Sequence, residues 1–266
     1  MKKMEYNIIS GKVIETRRCW MPERGQRKVR GQRIAGNTSE QKIKANEREA
    51  VKKLGRILNS NFGDGFLFVT MKYEPEYLPE DMEAARKSAR KYLKKVREKI
   101  PGMKYVMVTA NYSPKRHRPA RLHHHMVVPV ESIDILSALW TVGTFYVERV
   151  SNPGDLTTLA AYLVDNVHDL PAGQKKWTTS QGLDKPIYTE PKPVEDLANV
   201  QPIAGAVVCE WTNVANEDGM IEGTYMRQLM PARVKVRGGM VILPPRGKKK
   251  NRKLPDDIAK LALEDE

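Results

Sequence analysis

Three histidines stand in a row in the run Leu122-His123-His124-His125-Met126-Val127-Val128. The flanks predict a β-strand, and a strand sends successive side chains to opposite faces. His123 and His125 therefore share one face, separated by two rises of about 3.3 Å each. His124 faces the other way and reads as structural. Two imidazoles that lean together on one face can grip one metal ion. The competing reading is a hydrogen-bonded, inert pair on a polar sheet face. Spacing alone leaves the metal open: imidazole suits zinc-like ions, whereas added carboxylates and waters suit manganese or magnesium.

The elements that must position this pair follow from periodicity and turn signals. Phe66–Met71 reads as a buried strand. Asp81–Ile100 reads as a helix dense in bases, with an apolar stripe at Tyr92, Leu93, Val96 and Ile100, and Pro101-Gly102 stops it. Lys104–Ala110 is a second strand and Leu122–Val130 the histidine strand. A helix over Ser132–Trp140, a strand over Thr144–Val150 and a helix over Leu156–Val167 follow. Upstream, Thr38-Ser39-Glu40-Gln41 signals the start of a helix over Lys42–Asn59. The order from residue 66 is β-α-β-β-α-β-α, which predicts an α+β domain: a mostly antiparallel sheet with helices packed on it.

Outside that domain, Tyr6–Ile14 is a short strand-like run, and residues 171–205 are proline-bearing with little periodicity. Ala206–Trp211 and Gly223–Met226 read as a hairpin across Asn216-Glu217-Asp218-Gly219. The expected organisation is a basic N-terminal arm over 1–40, the main domain over 41–190, a C-terminal hairpin extension over 191–230, and a basic then acidic tail over 231–266.

The 266 residues carry 46 Lys and Arg against 32 Asp and Glu, a formal charge of +14 with a pI near 9.7. About two to eight charges suffice for solubility, so the surplus calls for a polyanionic partner, nucleic acid before anionic membrane. The bases concentrate in three places: the stretch 22–36, the helix 81–100 with Lys87 and Lys91, and the acid-free tract 231–253. Their contacts to phosphates would be sequence-independent and salt-sensitive. Lys175-Lys176-Trp177 sets bases beside an indole that either stacks on an unpaired base or plugs the core. No run approaches the roughly 18 apolar residues of a membrane span, and the N-terminus lacks the apolar stretch of a secretory signal. Two cysteines, Cys19 and Cys209, cannot build a disulfide scaffold, so a reducing cytoplasm is the default location and no membrane is expected.

Arg121-Leu122-His123-His124-His125-Met126-Val127 resembles the His-hydrophobe-His motif of HUH endonucleases. The likeness extends through Asn46-Glu47-Arg48, Phe66-Leu67-Phe68-Val69-Thr70-Met71-Lys72-Tyr73, Leu139-Trp140-Thr141-Val142-Gly143, Leu159-Ala160-Ala161-Tyr162-Leu163, and Lys176-Trp177-Thr178-Thr179-Ser180-Gln181-Gly182-Leu183-Asp184-Lys185-Pro186. Over roughly residues 40–235 the chain is similar to the rolling-circle replication initiators of phages and plasmids, including the filamentous-phage replication protein. The resemblance implies a ferredoxin-like or RRM-like sheet with the histidines on a central strand. It implies a divalent metal, manganese or magnesium, at His123 and His125, and a nucleophilic Tyr162 on a helix. The activity implied is nicking of single-stranded origin DNA through a 5′-phosphotyrosine intermediate, followed by strand rejoining in a bacterial host's cytoplasm. A host helicase and polymerase are the implied partners. Lys175, Lys176, Trp177, Lys185, Lys87 and Lys91 are the expected DNA contacts.

The chemistry is coherent on its own terms. A metal polarises the phosphate, a phenol of ordinary pKa near 10 needs activation, and an ester stores the energy of the cut. Two positions depart from the family pattern. Relatives carry a lysine three residues after the tyrosine, where this chain has Asp165. Relatives also place an acid at the end of the strand before the histidines, where this chain has Asn111. Asn111 is expected to offer an amide oxygen to the metal, and Asp165 the missing carboxylate, as ligand or as base. The alternatives are a weakened nuclease, or a non-catalytic single-stranded nucleic-acid-binding protein with an RRM-like sheet. The sheet strands lack the aromatic pairs that an RNA-recognition sheet displays.

Overall fold

The computed structural model describes residues 1–22, 40–130, 133–171, 174–215, 220–237 and 240–243. The elements in chain order are β1 (Lys2–Ser10), β2 (Val13–Met21), α1 (Glu40–Phe62), β3 (Gly65–Tyr73), α2 (Met82–Lys99), β4 (Val106–Ser113), β5 (Arg118–Val128), α3 (Ile133–Leu139), β6 (Gly143–Ser151), α4 (Thr157–Asp165) and β7 (Trp177–Thr179). They continue as β8 (Ile187–Tyr188), β9 (Lys192–Pro193), β10 (Val207–Ala215), β11 (Ile221–Leu229), β12 (Lys235–Arg237) and β13 (Met240–Ile242). The architecture is α+β, with antiparallel sheets and helices packed on them. The described residues form two compact units, one of residues 50–184 and one of residues 1–49 with those from 185 on.

The 50–184 unit is built on a five-stranded antiparallel sheet of order β6-β3-β5-β4-β7. After α1 its elements run β3-α2-β4-β5-α3-β6, and counted among those four strands the spatial order is fourth, first, third, second. Each face of the sheet buries its own cluster. On one face Phe66, Phe68, Val106, Val108 and Val127 pack against Leu54, Leu58 and Phe62 of α1 and Leu159, Ala160 and Leu163 of α4. The spacing of Leu54, Leu58 and Phe62 lays one stripe along α1. On the other face Leu67, Val69, Met71, Met107, Met126 and Val128 pack against Ala89, Tyr92, Leu93 and Val96 of α2 and Leu136 of α3. Alternation along β3 explains the division, since neighbours in a strand point to opposite sides. Each fully buried large apolar side chain contributes about 1.5–3 kcal/mol.

α2 starts where Asp81 accepts a 2.7 Å hydrogen bond from the Ala84 amide, an N-cap. Its other side carries the bases, Lys87 and Lys91 among them, exposed to water.

In the other unit β1 and β2 form a hairpin that turns at Gly11, where φ is 60°. The strand-like run Tyr6–Ile14 is thus two strands with a turn inside it, because the apolar pairs on each side of Gly11 look continuous in sequence. β2 then pairs with β11, from Gly223 opposite Cys19 to Leu229 opposite Val13, and the sheet runs β10-β11-β2-β1-β8 with β9 also on β1. The segment grouped with a basic arm and the C-terminal hairpin therefore share one sheet. Buried Gln228 ties it together: its Oε1 accepts the Ile203 N–H at 2.7 Å and its Nε2 donates to Thr16 Oγ1 at 3.4 Å. Neither Cys19 nor Cys209 is in a disulfide.

The rest of the stretch 22–36, the helix-start residues Thr38 and Ser39, the hairpin turn 216–219, most of the 231–253 tract and the acidic terminus lie outside the described residues. Among the described residues no helix is long and apolar enough to cross a membrane.

Candidate active site

The histidine strand β5 sits between β3 and β4. His125 lies opposite Thr70 and Val108, and His123 lies opposite Lys72 and Ala110. Opposed residues in an antiparallel pair share a face. The pair therefore lies on the face that α1 and α4 cover. There the two rings converge, with Nε2 of His123 3.1 Å from Nε2 of His125. That is close to the spacing that two Zn–N-type bonds of about 2.1 Å make near a right angle. His123 Nδ1 lies 2.8 Å from the Arg121 carbonyl oxygen, which only accepts, so Nδ1 carries a hydrogen, and in the neutral ring Nε2 is the nitrogen with the lone pair. Such a backbone contact to the far nitrogen is how a ligating imidazole is oriented. His125 Nδ1 meets the Thr70 hydroxyl at 3.1 Å, and its ring stacks on Phe68 with centroids 5.1 Å apart. Burial first, then the positive potential of His123, His124 and Lys72, holds the His125 imidazole well below its ordinary value. It is neutral at physiological pH, the form that ligates.

His124 points to the opposite face, as alternation requires. It is fully buried between the Tyr73 hydroxyl, 2.6 Å from Nε2, and the Thr109 hydroxyl, 3.1 Å from Nδ1. Burial, with His123 second, lowers it to about 3.

Tyr162 comes to the site from α4. Asp155 prepares the helix start: its Oδ1 accepts from the Thr157 amide at 3.0 Å, the Thr157 hydroxyl at 2.7 Å and Asn59 Nδ2 at 3.1 Å. Leu159, Ala160, Leu163 and Val164 bury α4 in the core, which leaves Tyr162 half-buried at the rim. Its hydroxyl lies 3.3 Å from His125 Nε2. Two imidazole nitrogens and one phenol oxygen thus meet around His125.

Asn111 is not aimed at the histidines. The pairing of β4 with β5 shifts register between Ala110 and Tyr112, so Asn111 sits in a bulge. Its Nδ2 donates to the His168 carbonyl at 3.0 Å and its Oδ1 accepts the His168 N–H at 2.9 Å. The Asn111 and Tyr112 amides both donate to the Asn166 carbonyl, and Tyr112 and His168 stack flat, 3.7 Å between centroids. The expected metal ligand is instead a clamp on the chain leaving α4. Asp165 is exposed at the last residue of α4. Among the described residues no group of three or more His, Cys, Asp or Glu gathers where a metal could be held.

A cleft of about 480 Å³ opens beside the pair, lined by Lys72, Tyr112, Lys115, Arg116, Arg118 and Arg121 with His123 and Tyr162. The β4–β5 hairpin supplies most of it, and among the described residues no acidic one lines it. These bases are absent from the DNA contacts expected above, although the sequence signal exists: residues 111–130 hold no Asp or Glu. Of the contacts expected from sequence, Lys176 donates to the Val164 carbonyl at 3.3 Å, near the end of α4. The Lys175 carbonyl accepts from Arg86 at 2.9 Å. Trp177 is half-buried in β7 opposite Val108 and packs on the core, the plug of the two alternatives. Lys87 and Lys91 ride on α2, which packs on the His124 face, so they are not brought to the histidine pair. Lys185 is exposed and belongs to the other unit.

Compared with protein-family models, with curated proteins and with solved structures, the chain matches none.

Proposed function

We propose that the protein is an HUH-type nickase and strand transferase of the rolling-circle initiator kind. In this reading Tyr162 attacks a phosphodiester of single-stranded DNA at a replication origin. The observation that carries the proposal is the meeting of His123 Nε2, His125 Nε2 and the Tyr162 hydroxyl within 3.3 Å contacts at the edge of an acid-free basic cleft. The strand order fourth, first, third, second supports the ferredoxin-like reading of the sheet.

His123 and His125 would hold the divalent ion, manganese or magnesium, as neutral imidazoles. When bound, the ion supplies charge neutralisation at the non-bridging phosphate oxygens. Lys72, Lys115, Arg116, Arg118 and Arg121 seat the neighbouring phosphates. The Tyr162 oxygen forms the new bond to phosphorus, and the bond to the 3′ oxygen breaks. The 5′ side stays on the enzyme as a phosphotyrosine ester, and the 3′ oxygen leaves with a proton from solvent. The phenol proton goes to a carboxylate in this reading, and Asp165, one helical turn beyond Tyr162, is the residue assigned to it.

The position of Asn111 favours a second reading, a non-catalytic single-stranded nucleic-acid-binding protein or degenerate nuclease, because its amide is engaged by the His168 backbone. One experiment separates the two. The full chain is incubated with a labelled pool of random single-stranded DNA and manganese, then run under denaturing conditions. A covalent protein–DNA band that chelator and Tyr162→Phe both abolish supports the nickase; its absence from the wild type removes that reading.

A further inference from the structure

We propose that Tyr146 on β6 is a stacking platform for one nucleobase of the DNA strand, next to the phosphate received by the histidine pair; this rests on single-stranded DNA being the ligand of that site. Tyr146 lies opposite Thr70, and Thr70 lies opposite His125. The three residues form one row on one face of the sheet. Two strand spacings separate the ends of the row, about 10 Å. Among the described residues β6 is the edge strand of the sheet, with no strand paired on its outer side.

The two aromatic side chains of Phe68 and Tyr162 that contact His125 are engaged. Phe68 is buried under its ring, and Tyr162 is edge-on to Phe68. Tyr146 by contrast is 56% exposed, more than the apolar environment of a core aromatic allows. Its ring is not loose: Lys72 Nζ lies 5.2 Å from the ring centroid, a cation–π contact. The same Lys72 lies opposite His123 and lines the basic cleft. An aromatic surface and a phosphate-seeking cation are thus held side by side, which is how single strands are bound without base-specific readout. A paired base in a duplex has no free face to offer, so the fit is to an unpaired one.

Lys72, held beside the Tyr146 ring, sets the direction: the backbone of the strand runs on the Lys72 side while the base lies over Tyr146. The register of β6 is secured at its start, where a Cβ on Gly143 would fall 1.9 Å from the Lys72 carbonyl oxygen. Only glycine permits that approach.

The test is fluorescence anisotropy of the full chain with a labelled oligothymidylate and with an abasic strand of equal length, in the presence of manganese. Tyr146→Ala should bind oligothymidylate roughly tenfold more weakly. It should leave affinity for the abasic strand unchanged, and Tyr146→Phe should behave as wild type. Equal affinity of Tyr146→Ala and wild type for oligothymidylate would overturn the platform, as would equal losses on both strands. A wild type that binds oligothymidylate but forms no covalent adduct with the random single-stranded pool ends the nickase reading and leaves the platform standing. A wild type that does not distinguish the two strands ends the platform, whether or not adduct forms.

Discussion

The Tyr162 hydroxyl lies 3.3 Å from Nε2 of His125, across 37 residues of chain. Nothing local brings them together. α4 must land on the face of the sheet that carries His123 and His125, and it must end where the Asn111 bulge can hold it. The Asp155 hydrogen bonds at its start and the Asn111–His168 pair after its end set its two limits.

Tyr162→Phe removes only the phenol oxygen from a ring that also touches Phe68. The expected outcome is loss of covalent adduct by roughly a thousandfold or more with single-stranded DNA affinity kept. Quantified adduct bands and anisotropy on the same preparation check it. A variant that still forms adduct moves the nucleophile elsewhere.

Asn111→Ala removes two hydrogen bonds to the His168 backbone. A stability loss of about 1–3 kcal/mol is expected. Adduct formation should slow while manganese affinity, measured by calorimetry, stays the same. A fall in manganese affinity would restore Asn111 as a ligand.

Replacing Lys115, Arg116 and Arg118 together by Gln should lower the slope of log affinity against log salt by about 2, near 0.7 for each lost single-strand phosphate contact. Lys87→Gln with Lys91→Gln, on the His124 face, should leave that slope unchanged. A salt titration of both variants decides which basic surface holds the strand.

Stability should fall on mild acidification. His124 is held to about 3 in the folded state, against about 6.5 when unfolded. Above pH 6.5 neither state binds the proton and the difference vanishes. Below it the unfolded chain takes up a proton that the folded chain refuses, which costs about 2 kcal/mol by pH 5. His125 acts in the same direction. Urea midpoints of chelator-treated protein at pH 7 and pH 5 measure this; equal midpoints would contradict it.

Gly143→Ala should cost about 3 kcal/mol, because the added methyl meets the Lys72 carbonyl and forces β6 off β3. Thermal unfolding reads the loss. A neutral substitution would mean that the edge strand is not seated as described.

Much of the 50–184 unit was legible in the residues. The strand flanks of His124 gave the two-sided placement of the triplet, the apolar stripe gave α2, and Asp81 marked its start within one residue. The misses have a shared cause. Tyr6–Ile14 read as one strand because a turn at Gly11 is a backbone event between apolar pairs. The β2–β11 pairing joins residues some two hundred apart, beyond any window of periodicity. The hairpin bases at 115–121 form too short a run to stand out in the sequence, and only the hairpin's fold wraps it around a cleft beside His123.

The chain's own covalent geometry and composition settled which histidines point the same way, which segments are helix and strand, and the excess of positive charge. These are properties of neighbours, governed by alternation, turn chemistry and counting. Which face of the sheet receives α4, which basic surface lies beside the histidines, and whether Asn111 looks at a metal or at His168 depend on strand order and on a one-residue bulge. Such features arise from contacts between distant segments, so they emerge only when the sheet is assembled.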